Sequence, residues 1–131
     1  MTTEIEQFFA GNQFAVAGAS ADRNKYGNKV LRALMAHGKA VVGIHPIATE
    51  IEGLPCYRSL KDVPDAIDSL SIVTPPAITE AIILDAIAAG VKQVWMQPGA
   101  ESHKAIELAN QAGLSVIAGG PCLLVLIESA R

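Results

Sequence analysis

Four short stretches of the chain could together shape a ligand cleft, and the first of them holds residue types suited to gripping an anion. They are residues 18–27 (GASADRNKYG), His45-Pro46, Thr74-Pro75-Pro76 and Gln97-Pro98-Gly99. In the first, Gly18 lets the backbone approach a ligand closely, and a helix expected to begin near Tyr26 aims free N–H groups at the loop. A phosphate is stabilised at such a helix N-terminus. Arg23 and Lys25 stand in the loop or first turn, where a charge-assisted contact to phosphate would contribute roughly 1.5–3 kcal/mol. Lys29 and Arg32 fall opposite the apolar face formed by Val30, Leu31, Leu34 and Met35, so they are expected at the solvated surface. On that assignment, Arg23→Ala weakens phosphate binding more than Arg32→Ala.

Two familiar phosphate motifs are absent. A dinucleotide fingerprint needs glycine at 18, 20 and 23, where the chain has Gly18, Ser20 and Arg23. A P-loop needs Gly-Lys-Ser/Thr where Arg23-Asn24-Lys25 stands. Nicotinamide-dinucleotide folds also place an acid at the end of the second strand to hold the ribose hydroxyls. No Asp or Glu occurs between Asp22 and Glu50, a span that holds five of the ten basic residues. A locally positive field without an acidic ribose clamp suits a ligand with several phosphates.

The elements that must position these corners follow from a repeated pattern. LRALMAHG, ILDAIAAG and IELANQAG each end an apolar-periodic stretch in glycine, and KAVVGI, VKQVWM and LSVIAG follow at once. Gly38, Gly90 and Gly113 are placed as left-handed helix C-caps, and the Val- and Ile-rich runs after them read as buried strands. FAVAG at 14–18 and LSIVT at 70–74 are two more strands. Alternating strands and helices mean βαβ units, right-handed crossovers and a doubly wound α/β domain in three layers, with a mainly parallel sheet of five or six strands. Residues 45–66 are irregular, with three of the seven prolines, and should hold a short edge strand and one helical turn. In such a sheet, ligands bind outside the carboxyl ends of the strands where strand order reverses, and all four corners follow strands.

Composition sets the outer bounds. The 131 residues suit one domain spanning 1–131. Half of the residues are hydrophobic and 18% are charged, the reverse of a disordered chain. A net charge of −3 argues against nucleic-acid wrapping or a polybasic membrane anchor. Cys56 and Cys122 are too few for a disulfide scaffold, and the acidic start MTTEIEQFF lacks the order of a signal peptide. A reducing, cytoplasmic setting is expected. The apolar run at 122–127 is too short to span a bilayer and should form a last buried helix or a contact with a second copy.

Taken together, VAGAS at 16–20, HP at 45–46, EIEGLPCYRSLKDVP at 50–64, TPP at 74–76, VWMQPGAES from 94, and AGLSVIAGGPC at 112–122 resemble the coenzyme A-binding protein family. These are small stand-alone relatives of the CoA-binding domain of the succinyl-CoA synthetase α subunit. The resemblance covers nearly the whole chain and implies a Rossmann-like fold that binds coenzyme A or acyl-CoA. Carried over by position, it implies that Gly18, Ala19, Ser20 and Arg23 line the diphosphate. It implies His45 and Pro46 at the adenosine side, Thr74, Pro75 and Pro76 at the nucleotide or the start of the pantetheine, and Gln97 and Gly99 at the thiol-bearing arm. One departure is Gly120-Pro121 before Cys122, where family members often carry Asp-Arg or Asn-Arg.

In the synthetase, chemistry requires a phosphorylated histidine from a second domain and an ATP-grasp partner, and neither is expected here. Of the three histidines only His45 falls at a predicted rim; His37 precedes a C-cap and His103 opens a surface helix. The histidine spacing does not suit a metal, and no nucleophile–base pair is recognisable. The first expectation is therefore non-catalytic binding of CoA or acyl-CoA, as a carrier, a sensor or a subunit of an acyl-CoA enzyme, with a homodimer or an acyl-CoA enzyme as the class of partner. The alternative is a nucleotide-dependent enzyme, either an NAD(P)-type oxidoreductase or an acyl-CoA ligase component. Cys122, after the last strand, is placed where a mixed disulfide with the CoA thiol is conceivable, whereas Cys56 and Trp95 are expected to be structural.

Overall fold

A computed structural model describes residues 3–129. The strands are β1 (Gln13–Ala17), β2 (Ala40–Ile44), β3 (Glu50–Ile51), β4 (Leu54–Tyr57), β5 (Ser69–Ile72), β6 (Gln93–Met96) and β7 (Ser115–Ile117). The helices are α1 (Thr3–Phe9), α2 (Tyr26–Ala36), α3 (Pro76–Ala89), α4 (His103–Gln111) and α5 (Leu123–Leu126). The strand order is β3-β4-β2-β1-β5-β6-β7, parallel throughout except for the β3–β4 hairpin. Seven strands replace the expected five or six. The supposedly irregular segment folds into a hairpin whose turn residues, Glu52 and Gly53, have φ of 54° and 79°, the sign that a tight two-residue turn demands.

The helices begin and end for local reasons. Gly38, Gly90 and Gly113 take φ of 75°, 77° and 82°, as a left-handed C-cap requires. Pro76 opens α3, and the Ser102 hydroxyl accepts from the Ala105 N–H at 3.0 Å to start α4.

Side chains alternate across the sheet. Phe14, Val16, Trp95 and Ile117 face a layer of α1, α2 and α5, while Ala15, Ala17, Leu70, Ile72, Val94 and Met96 face α3 and α4. On the first face, Phe8 and Phe9 meet Trp95 edge to face at 5.2 and 5.7 Å. The Trp95 indole N–H donates to the Pro121 carbonyl at 3.0 Å. Each fully buried aromatic of this kind contributes roughly 1.5–3 kcal/mol. The cluster fixes the sheet beneath α2 and thereby fixes the loop that precedes α2.

Strand order reverses at β1. The chain moves from β1 outward to β2 and β4, then returns to the other side of β1 as β5. The carboxyl ends of β1, β2 and β5 therefore share one edge, and the crevice expected of a doubly wound sheet opens between them.

Candidate functional site

A cleft of about 350 Å³ lies at that crevice, lined by Gly18, Ala19, Ile44, His45, Pro46, Arg58, Thr74, Ile78 and Ile82. Gly18, Ala19, His45, Pro46 and Thr74 are sequence-predicted site residues brought together from three separate strands. Its walls are mainly apolar. Ile78 and Ile82 are one turn apart on α3, and Ile78 remains 51% exposed. Apolar walls with a few placed polar groups are the usual make-up of a small-molecule site. A larger depression of about 530 Å³ lies at the opposite ends of the strands, bordered by Gln7, Asn12, Asp68, Lys92 and Ser115. It is broad and polar, and it sits at the strand starts, away from the switch point where such folds take ligands.

The loop at 18–27 is shaped by close backbone contact. Gly18 has φ of 89°, and a Cβ there would collide with the Val73 carbonyl oxygen. A Cβ on Gly27 would collide with the carbonyl oxygen of Gly18, so α2 can only seat its first turn against β1 without a side chain at 27. Within the loop, the Asp22 N–H donates to the Ser20 hydroxyl at 3.1 Å and the Asn24 N–H to the Asp22 carboxylate at 2.9 Å. Buried Asn28 donates to the Ser20 carbonyl at 2.8 Å and to the Glu52 carboxylate at 3.1 Å. Arg32 donates to the Asn28 side-chain oxygen at 2.6 Å and to the Arg23 carbonyl at 3.1 Å.

Two expectations about charge need correction here. Arg32 is half-buried and ties down the loop, because its length carries the guanidinium back over Asn28. The locally positive field expected there is also partly cancelled. Glu52 arrives from the β3–β4 turn and pairs with Arg23 at 3.3 Å. Met35 likewise departs from the expected apolar face and is 38% exposed. Lys25 is exposed and stands at the N-cap of α2 without a side-chain cap, so no capping side chain occupies the amides of the first turn.

The start of α3 is different. Pro75 is its N-cap and Pro76 its first residue, and neither has an N–H to offer. The Ile78 and Thr79 amides both turn back to the Pro75 carbonyl, at 2.9 and 3.0 Å. Thr74 and buried Thr79 share a hydroxyl–hydroxyl hydrogen bond of 2.8 Å. This corner supplies an apolar wall and little for an anion.

Gln97 and Gly99 stand apart from the cleft. Gln97 is fully buried on the Trp95 face; its oxygen accepts from the Leu123 N–H at 2.9 Å and the Tyr26 hydroxyl at 3.2 Å, and its nitrogen donates to Ser71 at 3.2 Å. Gly99 is exposed and its N–H donates to the Glu101 carboxylate at 2.9 Å. Cys122 is in a short hydrogen bond with the Tyr26 hydroxyl, beside α2 and not among the cleft-lining residues. Burial first, and then the Cys122 contact, push the Tyr26 phenol above its ordinary range. Burial also raises the Cys56 thiol, which packs where a Gly43 side chain would otherwise stand.

Arg58, Ile44, Ile78 and Ile82 were missed by sequence reasoning. Parallel pairing of Ile44 with Tyr57 sets His45 beside Arg58, and the His45 N–H donates to the Tyr57 carbonyl at 2.9 Å. The only signal for Ile78 and Ile82 was their spacing of one turn just after the prolines.

Comparison with known proteins adds an independent line. A profile of the family described as CoA binding domain matches residues 12–128. An ADP-forming acetate–CoA ligase of Archaeoglobus fulgidus is 27% identical over 135 residues, covering 95% of this chain and 19% of the relative. The chain thus spans about a fifth of the length of that curated relative. A conserved hypothetical protein from Pyrococcus furiosus is 38% identical with a TM-score of 0.81, over 87% of this chain and 97% of that one. A hypothetical protein from Pyrococcus horikoshii is 30% identical with a TM-score of 0.89, over 99% and 92%.

Proposed function

The chain belongs to the CoA binding domain family, and from that premise we propose that it binds coenzyme A or an acyl-CoA without transforming it. The carrying observation is the apolar cleft at the β1/β5 switch point, lined by Gly18, Ala19, His45, Pro46 and Thr74. In this reading the diphosphate lies against Gly18, Ala19, Ser20 and the open first turn of α2, with Lys25 near enough to add charge. Arg23 contributes less, since Glu52 already neutralises it. The adenosine lies along His45, Pro46, Ile78 and Ile82. Thr74, Pro75 and Pro76 flank the path toward the pantetheine, which runs on toward exposed Gly99 along the strand ends. The two free cysteines suit a cytoplasmic, reducing setting, and among the described residues no helix is long and apolar enough to cross a membrane.

Calorimetric titration with CoA, acetyl-CoA, NAD and NADP tests the reading. Saturable heats with CoA and acetyl-CoA are expected, and a ligand at 100 times its dissociation constant should stabilise the fold by about 2.7 kcal/mol. Binding of NAD without binding of CoA would overturn it.

A second reading is favoured by one specific observation, the match to an ADP-forming acetate–CoA ligase. Here the domain serves as the CoA-holding component of an acyl-CoA enzyme, and its partner is the remainder of that enzyme, on the same chain or another. Co-purification of the protein from its own cells, with identification of what accompanies it, distinguishes the two. A lone protein or homodimer supports the first reading, and a stable complex with a nucleotide-binding ligase subunit supports the second.

A further inference from the structure

The corner where β2 and β4 end holds a cation that the diphosphate does not need. Arg58 lines the cleft, and among the described residues its guanidinium has no carboxylate within ion-pair distance and no hydrogen bond. The two other arginines around the cleft are both engaged, Arg23 with Glu52 and Arg32 with Asn28 and the Arg23 carbonyl. Beside Arg58 stands His45, brought there by the parallel register of Ile44 with Tyr57. The His45 Nδ1 accepts from the Ile47 and Ala48 N–H groups at 3.0 and 2.9 Å. In the neutral ring the proton must then sit on Nε2, which is left as a donor.

The position of this pair in the fold gives it meaning. In doubly wound sheets the end of the second strand meets the ribose of the nucleotide, where an acid holds a free hydroxyl pair and an arginine accommodates a ribose phosphate. Here β2 is followed by a histidine, with an arginine alongside that is unpaired among the described residues, and no acid lies between Asp22 and Glu50. An imidazole donor and a guanidinium cannot accept from hydroxyls, but both can donate to a phosphomonoester.

We propose that Arg58, with the Nε2–H of His45, seats a phosphomonoester on the ligand's ribose, and that Arg58 thereby selects CoA, through its 3′-phosphate, over nucleotides that lack one. This rests on the CoA reading above. The same chemistry occurs in the 2′-phosphate of NADP, so the test must separate the two. Arg58 is exposed and outside the core, so its replacement leaves folding intact, which a melting curve verifies.

The experiment is calorimetry of the wild type, Arg58→Gln and the control Lys61→Gln with CoA, 3′-dephospho-CoA, NADP and NAD. The wild type and Lys61→Gln should bind CoA about tenfold more tightly than 3′-dephospho-CoA. Arg58→Gln should bind both with the weaker affinity. Equal affinities in the wild type, or a preference that survives in Arg58→Gln, would overturn the proposal while leaving CoA binding in place. NADP bound as tightly as CoA would overturn the assignment to a 3′-phosphate. Failure of the wild type to bind either CoA form would instead remove the reading on which the proposal stands.

Discussion

The glycine loop and the β2–β4 corner both carry arginine, and they use it in opposite ways. In the loop, Arg23, Asn28, Arg32 and Glu52 satisfy one another, and what is left without a side-chain cap is backbone, the first-turn amides of α2. At the corner, backbone is consumed by the β2–β4 ladder and the His45 turn, and what stays open is a side chain, Arg58. Counting basic residues along the chain placed the positive field at the loop. The structure pairs the loop's Arg23 with Glu52, and on the proposed reading a guanidinium serves a ligand only when no carboxylate has reached it first. Exposed ion pairs contribute only about 0–1 kcal/mol to stability, and Arg23 is the exposed half of this one.

The sharpest way to break the contrast is to disturb the loop backbone itself. Gly27→Ala forces a methyl onto the Gly18 carbonyl oxygen and must shift either α2 or the loop. We expect a loss of about 1–3 kcal/mol in stability by denaturant titration, together with loss of detectable CoA binding. Unchanged CoA affinity in a folded Gly27→Ala protein would mean that the loop amides do not hold the ligand.

Asn28→Ala removes the hub that joins Ser20, Glu52 and Arg32, and its side chain is fully buried. The expected cost is about 1–3 kcal/mol, read in the same titration, with CoA affinity falling less than in Gly27→Ala. A larger fall in affinity than in Gly27→Ala would show that side chains, not amides, define the loop's role.

The smallest effect concerns Tyr26, at the boundary between the loop and α2. Because its phenol is raised in the folded state, chiefly by burial, the folded protein holds that proton where the unfolded chain has released it. Stability from neutral Tyr26 is therefore complete below about pH 10 and is lost as pH rises beyond it. Melting temperatures of the wild type and Tyr26→Phe should accordingly converge between pH 9 and the alkaline limit of about pH 11. A constant difference across that range would show that the phenol is not perturbed.

Much of this architecture could be read from the residues. The Gly-capped helices at Gly38, Gly90 and Gly113 fixed where strands begin, and hence which residues follow their ends. Those corners gave Gly18, Ala19, His45, Pro46 and Thr74 without any knowledge of contacts. Glu52 and Arg58 were illegible because they come from the segment with no periodicity, and only strand pairing brings them to the site. Its Glu52-Gly53 turn lacks the Asn-Gly or Asp-Gly signature that would have announced a hairpin. Gln97 was placed at the rim because it follows β6. Two-residue alternation sets it on the same face as Trp95, where buried partners use its amide at both ends.

The most direct measurement of the central claim is a crystal structure of the protein soaked with CoA. The account predicts a nucleotide between His45 and Ile82, with its diphosphate on the amides of the 18–20 turn and of the first turn of α2. A ligand found instead at the opposite end of the sheet, beside Asp68 and Lys92, with the switch-point cleft empty, would contradict it.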